Sequence, residues 1–363
     1  MYKRVVKPVL FLMHPDFTHL LAVKIGSVLG NFSLTRKILQ WLFVYKNPVL
    51  EQEFFGIKFP NPVGLAGGFD KNCELLKTMP EIGFGFMEVG SITRFPYKGN
   101  ERPWSVRLPK DQSLIVNYGL RNKGADVLSE KLQTRKTRIP LIINIAKTND
   151  SNIKGQGTID DYIHSYQKLE EFGDLININI SCPNTGDGIL LCEDTELLKG
   201  LLDGLQTSFE QSVYKKPILL KIKPDLADEK LLEILGLIKQ YNYIKGFVVA
   251  NLSKDRGLLK ATDYAKYENI PGGISGAPIK NISTEMIRKV RRNIGEKYLI
   301  IGCGGIFSAE DAYEKIQAGA NLVELITGLI YEGPSLIKNI NKGLAEILKN
   351  KNQTISELCT LKQ

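Results

Sequence analysis

The sequence lacks any apolar run approaching the roughly 18 residues that a membrane-spanning helix needs, so no such helix is predicted. Its five cysteines are odd in number, scattered and never spaced as C-x-x-C, which argues against a disulfide framework, a zinc ribbon and an iron–sulfur cluster site. This cysteine usage favours a reducing compartment. With 43% apolar and 24% charged residues, the 363-residue chain can form a large core and is not predicted to be disordered.

The positive charge of the chain is concentrated near its N-terminus. The net charge is +9, and residues 1–46 contribute +6 of it, from seven basic side chains and the single acid Asp16. The rest of the chain carries 41 basic and 38 acidic side chains. Because a nucleic-acid-binding protein would be basic more evenly, this distribution argues against a nucleic-acid partner and indicates a local contact with an anionic membrane surface.

Residues 1–46 are also helical and apolar in pattern. One helix is predicted over 16–29, where apolar side chains recur every three or four residues, and a second over 33–45, with Ser33 as its N-cap. Residues 5–13 resemble the core of a signal peptide, but Lys7 and Pro8 interrupt them and no small-residue cleavage site follows. Secretion is therefore not expected, and residues 1–46 are predicted to be a helical segment for membrane association.

From residue 60 onward, short apolar runs alternate with helical patterns. The runs, each predicted as a strand, are 63–66, 84–92, 141–146, 175–181, 218–222, 247–251, 298–302 and 322–327. Helical patterns at 160–172, 193–209, 228–241, 283–293 and 308–318 lie between them. Eight such units predict an α/β fold, a (β/α)8 TIM barrel over 47–349, with a doubly wound open sheet as the competing architecture. Residues 350–363 are predicted to be a polar tail that frays.

Asparagines are unusually frequent at the predicted strand ends. Asn144, Asn179, Asn184 and Asn251 lie at three of these ends, and Asn177 shares a strand face with Asn179. The active site of a barrel lies where its strands end, and a buried amide needs partners for both its donor and its acceptor. A single such asparagine more often caps a loop, but the whole set favours a planar ligand that alternates carbonyl and N–H groups.

Glycine clusters and two lysines mark the same end of the predicted barrel. Residues 302–305 and 327–328 follow the seventh and eighth strands, and 272–276 precede the seventh. Loops at these places bind phosphate in barrels, because glycine lets backbone N–H groups approach an anion closely. Lys71 and Lys221 are placed to stabilise a reduced flavin or to hold a carboxylate substrate.

Six segments together resemble the dihydroorotate dehydrogenases. They are 66–71, 179–185, 220–225, 272–276, 302–306 and 327–334. The resemblance runs in order from about residue 8 to 340. It implies an FMN-containing barrel that oxidises dihydroorotate to orotate in pyrimidine biosynthesis. Residues 8–12 and 14–16 are similar to the N-terminal helices of the class 2 enzymes, which are peripheral proteins of the cytoplasmic face of the inner membrane and pass electrons to a quinone. The resemblance thus implies that residues 1–46 also provide quinone access.

The resemblance also implies roles for individual residues. FMN would be held by Ala66, Gly67, Lys71, Ser91, Asn144, Asn179, Lys221, Ala250, Gly276, Gly304, Ile326 and Thr327. Substrate would be held by Lys71, Asn117, Tyr118, Gly119, Leu120, Asn179, Asn184, Asn251 and Leu252. Arg107 is expected near the flavin and the quinone passage, and His19 and His14 are candidates for the same passage. Neither a metal ion nor an iron–sulfur partner is expected.

The chain departs from the class 2 pattern at a few positions. Cys182 stands where class 2 enzymes have a serine as the base that removes the substrate C5 proton, and a thiol, with a reference pKa of about 8.5, is a far easier base than a hydroxyl. Val116 stands at a substrate asparagine of the family, and Asn117, one place later, is expected to serve instead. Ser91 and Ile326 replace a threonine and a tyrosine on the flavin side.

Three other functions are compatible with parts of this pattern. The cysteine at position 182 leaves open a class 1-like soluble enzyme that uses fumarate or NAD, although such enzymes lack the N-terminal helices. A non-oxidative phosphosugar isomerase or lyase would bind phosphate at the same loops, but it would not need asparagines at the other strand ends. A membrane-associated protein without catalysis would have lost part of the Lys71, Lys221 and asparagine set. The sequence therefore favours the quinone-dependent enzyme.

Overall fold

A computed structural model describes residues 2–134, 136–182 and 191–359 of the chain. The strands in these ranges are β1 (Gln52–Phe54), β2 (Ile57–Phe59), β3 (Val63–Leu65), β4 (Phe86–Ile92), β5 (Ser105–Leu108), β6 (Ser113–Val116), β7 (Leu141–Ile145), β8 (Leu175–Asn179), β9 (Ile218–Ile222), β10 (Ile244–Val249), β11 (Gly273–Gly276), β12 (Leu299–Cys303) and β13 (Leu322–Leu325). The helices are α1 (Lys7–Leu12), α2 (Pro15–Asn31), α3 (Ser33–Phe43), α4 (Ala125–Gln133), α5 (Gln156–Leu169), α6 (Thr195–Gln211), α7 (Asp228–Ile238), α8 (Lys280–Ile294), α9 (Ala309–Gln317), α10 (Thr327–Glu332), α11 (Ser335–Lys351) and α12 (Ile355–Cys359).

Eight of the strands close into a parallel barrel. Their order around it is β3, β4, β7, β8, β9, β10, β12 and β13, and β13 pairs with β3 to complete the ring. This arrangement confirms the predicted (β/α)8 barrel and rules out the open doubly wound sheet. Each apolar run predicted as a strand contributes to the barrel, because strands covered on both faces are almost entirely apolar.

The interior of the barrel is built in two layers. The lower one is apolar and contains Phe86, Ile142, Leu175, Leu219, Ile301 and Leu322. Side chains two residues further along a strand lie on the same face. The residues at those positions, nearer the carboxyl ends of the strands, are Glu88, Asn144, Asn177, Lys221, Cys303 and Glu324. We call this second set the polar layer. The floor of the barrel is closed by the β1–β2 hairpin, whose Phe59 ring packs 5.7 Å from the Phe86 ring.

A second sheet lies beside the mouth of the barrel. It has the order β11, β6, β5, with antiparallel pairing, and β5 and β6 arise from the long connection that follows β4. Its outer strand β11 ends at Gly276, directly before the turn Ala277–Ile279 that leads into α8. The sheet therefore brings the glycine cluster of residues 272–276 to the strand ends of the barrel.

The N-terminal segment has more helix than the sequence pattern predicts. Helices α2 and α3 agree with the prediction, but residues Tyr2–Val6 form a π-helical turn that continues into α1. Ser33 is the first residue of α3 rather than its N-cap; Phe32 occupies the cap position and makes no side-chain capping bond, so that prediction is wrong. In the described ranges, no single helix is long and apolar enough to cross a membrane; α2 and α3 meet the criterion only jointly, with a bend of 111° between them.

One buried carboxylate fixes this segment to the second sheet. Asp16, at the start of α2, is only 2% exposed and accepts hydrogen bonds from the backbone N–H of Trp104 (2.9 Å) and the hydroxyl of Ser105 (2.7 Å). Hydrogen bonds to a charged acceptor are among the stronger ones in proteins, at about 1.5–3 kcal/mol each. Asp16, the single acid of residues 1–46, therefore holds α2 against the second sheet.

The C-terminal stretch is more ordered than its polar composition suggests. Helix α11 extends to Lys351, and α12 follows it with Ile355, Leu358 and Cys359 buried. These three apolar side chains recur at three- and four-residue spacing, so a short helix buries all of them. Residues 355–359 accordingly pack on the barrel instead of fraying as predicted.

Candidate active site

The polar layer is held together by one lysine and two carboxylates. The Nζ atom of Lys221 lies 3.0 Å from Oε1 of Glu88 and 3.1 Å from Oε1 of Glu324, and both carboxylates have no exposed surface. Asn144 and Asn177 donate their Nδ2 hydrogens to the two oxygens of Glu88. Burial alone would lower the pKa of Lys221, but the neighbouring side chains of Glu324 and Glu88 raise it above its ordinary value. Lys221 is therefore cationic at the base of the barrel mouth.

Neither Glu88 nor Glu324 was predicted from the sequence to be a site residue. Each lies inside an apolar strand run, as Lys221 does, and a charged residue in such a run was the signal that singled out Lys221. The same signal could have found both carboxylates. Gly67 depends on one of them, since a Cβ atom at this position would lie 2.1 Å from Oε1 of Glu88.

Several acceptor atoms of the polar layer have no donor. Oδ1 of Asn144, Oδ1 of Asn177 and Oε2 of Glu324 are buried and accept no hydrogen bond from the described residues. Buried acceptors are nearly always paired in native proteins, because an unpaired one costs about 1–3 kcal/mol. A ligand that presents N–H or O–H groups to this layer would satisfy them, which fits the planar ligand with alternating carbonyl and N–H groups predicted from the asparagines.

The glycine clusters form a cradle beside the polar layer. Gly276 has a φ of 89°, and a Cβ atom there would lie 2.3 Å from the carbonyl oxygen of Gln112. Thr327 is its neighbour and shares a 2.8 Å hydrogen bond with Ser275. Gly304, with a φ of 111°, faces the same turn, Ala277–Ile279. Three residues predicted to hold FMN are thus brought together, and the bare backbone gives an anion close access to N–H groups.

Lys71 lies at the mouth of the barrel, against an aromatic ring. Its Nζ is 3.9 Å from the ring centroid of Tyr118 and donates to the carbonyl oxygen of Gly68. Burial, followed by the nearby charge of Arg121, lowers the pKa of Lys71 to about 7. A carboxylate beside this amine would raise the pKa again, because an opposite charge favours the protonated form.

The predicted substrate amides form two groups. In the first, Asn251 donates to Oδ1 of Asn179 at 3.3 Å, and Asn179 donates to the Ser91 hydroxyl at 3.0 Å. The backbone N–H of Leu252 donates to Oδ1 of Asn251 at 2.9 Å. Asn184, which was predicted to belong with them, lies outside the described residues.

The second group surrounds Asn117. This side chain is buried and accepts a 2.9 Å hydrogen bond from Asn100, and Asn149 donates to the carbonyl oxygen of Gly119 at 3.1 Å. Neither Asn100 nor Asn149 was predicted from the sequence, because neither lies on a barrel strand. The replacement of the family asparagine at Val116 by Asn117 stays a prediction, and the burial of the Asn117 amide is consistent with it.

Cys182 follows β8 and is partly buried. It lines a cleft together with Leu120, Lys147 and Asn179. Burial raises the pKa of Cys192 to about 11 and that of Cys303 to about 12. Those two thiols stay protonated at neutral pH and are poor bases.

The residues predicted for the quinone passage lie between the N-terminal segment and the barrel. Nε2 of His19 is 2.9 Å from the carbonyl oxygen of Phe69, and burial, followed by the charge of Lys71, lowers the pKa of His19 to about 3, so the ring is neutral. Arg107 donates to the carbonyl oxygen of Met13 at 2.7 Å. His14 accepts a hydrogen bond from the backbone N–H of Asp16 at the start of α2, and its side chain is 56% exposed, so its role in the passage stays a prediction.

Comparison with known proteins identifies the family. The sequence profile described as dihydroorotate dehydrogenase matches residues 49–348. The chain belongs to the dihydroorotate dehydrogenase family. A protein of Christiangramia forsetii named dihydroorotate dehydrogenase (quinone) is 38% identical over 346 residues, which cover 95% of this chain and 99% of that protein. A protein of Trichodesmium erythraeum with the same name is 36% identical over 365 residues, covering 96% of this chain and 94% of that one.

Solved structures of this family share the fold. The DHODH from Eimeria tenella in complex with ferulenol superposes with a TM-score of 0.83 at 27% identity, covering 96% of this chain and 97% of that one. The ligand-free type DHODH from Eimeria tenella gives 0.81 at 30% identity, covering 91% and 99%. FMN is the cofactor of the dihydroorotate dehydrogenases, and the described residues fit it: the unpaired buried acceptors would accept N–H or O–H groups of the cofactor, and the glycine cradle would admit its phosphate. The role of each residue stays a prediction.

Proposed function

We propose that this protein oxidises (S)-dihydroorotate to orotate, with FMN as the first electron acceptor and a membrane quinone as the second. The proposal depends on the cationic Lys221 in the polar layer. Unpaired amide acceptors lie around it, and the glycine cradle with Gly276 and Thr327 lies beside it. A phosphosugar isomerase would need the cradle but not the buried amides.

The side chains divide the work by position. FMN, when bound, supplies the hydride acceptor at its N5 atom. Lys221 would supply the positive charge that stabilises the negative charge of the reduced flavin. Asn179 and Asn251, already in contact with one another, grip the substrate amides, and Lys71 at the mouth binds its carboxylate.

Cys182 is the proposed base. Its Sγ takes the C5 proton of the substrate while the hydride departs from C6, which leaves the C5–C6 double bond of orotate. The position favours this role, because Cys182 is partly buried and lines the same cleft as the substrate residue Asn179. By contrast, Cys303 lies in the polar layer and Cys192 is buried in the core.

The N-terminal segment is the proposed site of contact with the membrane. Many of its apolar side chains are solvent-exposed, among them Val5, Val9, Leu12, Phe17, Ile25, Val28, Phe32, Leu34, Ile38, Trp41 and Leu42. A soluble protein seldom exposes so many large apolar side chains on one segment, and the same segment carries most of the positive charge. The combination fits a peripheral contact with the anionic cytoplasmic face of the inner membrane, where quinone is available.

Two measurements test the proposal. Mixing the yellow holoenzyme with dihydroorotate in the absence of oxygen should bleach the flavin absorbance, and unchanged absorbance would refute dihydroorotate oxidation. Steady-state turnover should then be supported by ubiquinone or menaquinone and not by fumarate or NAD. Turnover with fumarate but with neither quinone would instead support the class 1-like soluble enzyme.

A further inference from the structure

The polar layer contains two carboxylates, Glu88 and Glu324, which share the cation of Lys221. Lys221 is the only cation within salt-bridge distance of the two carboxylates among the described residues, and it contacts one oxygen of Glu88 and one of Glu324. Both carboxylates are fully buried. Two buried carboxylates that share one cation cannot both ionise without leaving an unbalanced charge, which is strongly unfavourable in a protein interior.

The hydrogen bonds of the layer distinguish the two carboxylates. Glu88 accepts from Lys221, Asn144 and Asn177, so both of its oxygens have donors. Glu324 accepts only from Lys221, and its Oε2 has no donor among the described residues. Donors stabilise an ionised carboxylate, so Glu88 is the better site for the negative charge.

The neighbouring strands offer Glu324 no further compensation. On one side of β13, its register partner is Cys303 of β12, and on the other side it is Gly64 of β3. Glu88 and Lys221 are the charged groups that reach it across the barrel. No second cation faces Glu324 from any of these elements.

We infer that Glu324 holds a proton at neutral pH and acts as a positioning residue. Its proton leaves Glu88 as the one ionised partner of Lys221, so that the polar layer is electrically neutral. The inference rests on the proposed FMN site. Burial, followed by the charge of Glu88, raises the pKa of Glu324 to about 8. Its protonated oxygen becomes a hydrogen-bond donor, in place of an unpaired anionic acceptor.

The proton of Glu324 should affect the redox potential of the flavin. Its loss at higher pH places a net negative charge in the layer, and this charge opposes the electrons that arrive on FMN. Conversely, electrons on FMN favour protonation of Glu324, so flavin reduction takes up one additional proton in this pH range. Reduction to the anionic flavin takes up one proton by itself, and Glu324 adds a second. In this pH range the midpoint potential of the flavin should therefore fall about twice as steeply with pH in the wild type as in a variant without this acid.

The test compares the wild-type holoenzyme with Glu324→Gln and Glu88→Gln. Glutamine at 324 keeps the shape of the protonated acid, so the midpoint potentials of the wild type and Glu324→Gln should agree at about pH 6 and diverge above about pH 8, with the wild type lower. Infrared spectra should show the carbonyl band of a protonated carboxylic acid in the wild type and not in Glu324→Gln. A constant difference in potential, or the same carboxylic acid band in both proteins, would overturn the inference.

Glu88→Gln shows which carboxylate holds the proton. This variant removes the acceptor of three donors and should lower the melting temperature at neutral pH much more than Glu324→Gln does. The opposite ranking would place the proton on Glu88 and overturn the assignment. Infrared spectra and melting curves do not depend on substrate turnover. If the protein bound no FMN, or if dihydroorotate did not reduce its flavin, the proposed function would be contradicted, whereas the infrared and melting data would still test the protonation of Glu324.

Discussion

Replacing Glu324 by glutamine should change how the stability of the protein depends on pH. Its pKa is about 8 in the folded protein, against an ordinary value of 4.5, which we take for the unfolded chain. Between these values the folded protein holds a proton that the unfolded chain releases, so the free energy of unfolding falls as the pH rises. Glutamine cannot ionise, and the variant lacks this contribution.

The size of the effect follows from the shift. Each pH unit inside the window changes the free energy of unfolding by about 1.4 kcal/mol, so from about pH 5 to about pH 7 the wild type loses about 3 kcal/mol relative to Glu324→Gln. An unfolding entropy of about 2 cal/mol/K per residue converts this, for 363 residues, into about 4 °C of melting temperature. Above about pH 8 the difference should become constant, because both states of Glu324 are then ionised.

The assay is thermal or urea unfolding of both proteins in parallel across this pH range. Taking the difference between the two curves removes the contributions of all other titratable groups that the substitution leaves unchanged. A difference in stability that stays constant between about pH 5 and about pH 8 would refute the reasoning, because it would mean that Glu324 is ionised in the folded protein throughout.

Three further substitutions test the site and the membrane segment. Cys182→Ala should retain FMN but reduce its flavin at least about 100-fold more slowly with dihydroorotate in stopped-flow experiments; normal reduction would exclude Cys182 as the base. Gly276→Ala should weaken FMN binding in fluorescence titrations, because its Cβ would meet a backbone oxygen at 2.3 Å, whereas Gly56→Ala, with open space around the added carbon, is the control for a positive φ. Trp41→Glu should lower binding to anionic vesicles and turnover with quinone, while reduction of the flavin by dihydroorotate stays unchanged. Val213→Glu, at a similarly exposed apolar position on the barrel, should change neither vesicle binding nor quinone turnover. Equal effects of the two substitutions would contradict a specific contact of the N-terminal segment.

The barrel could be predicted from the sequence because its signals are local. Each strand that is covered on both faces appears as a short apolar run, and the glycines and asparagines at the strand ends mark the mouth by position alone. The N-terminal segment was less predictable: α1 contains Pro8 and is only six residues long, so it shows no clear period. At α3, Ser33 suggested a cap that the structure places one residue earlier, at Phe32.

The sequence by itself determined which side chains were available at the strand ends, and tertiary structure decided which of them meet. Lys221 contacts Glu88 and Glu324, which lie 133 and 103 residues away along the chain, and only closure of the barrel brings them within 3.1 Å of its amine. A charged residue in an apolar strand is visible locally, but its partner depends on strand order and register. The protonation of Glu324 follows from these contacts, because burial, nearby charges and hydrogen-bond donors set the pKa of a carboxyl group.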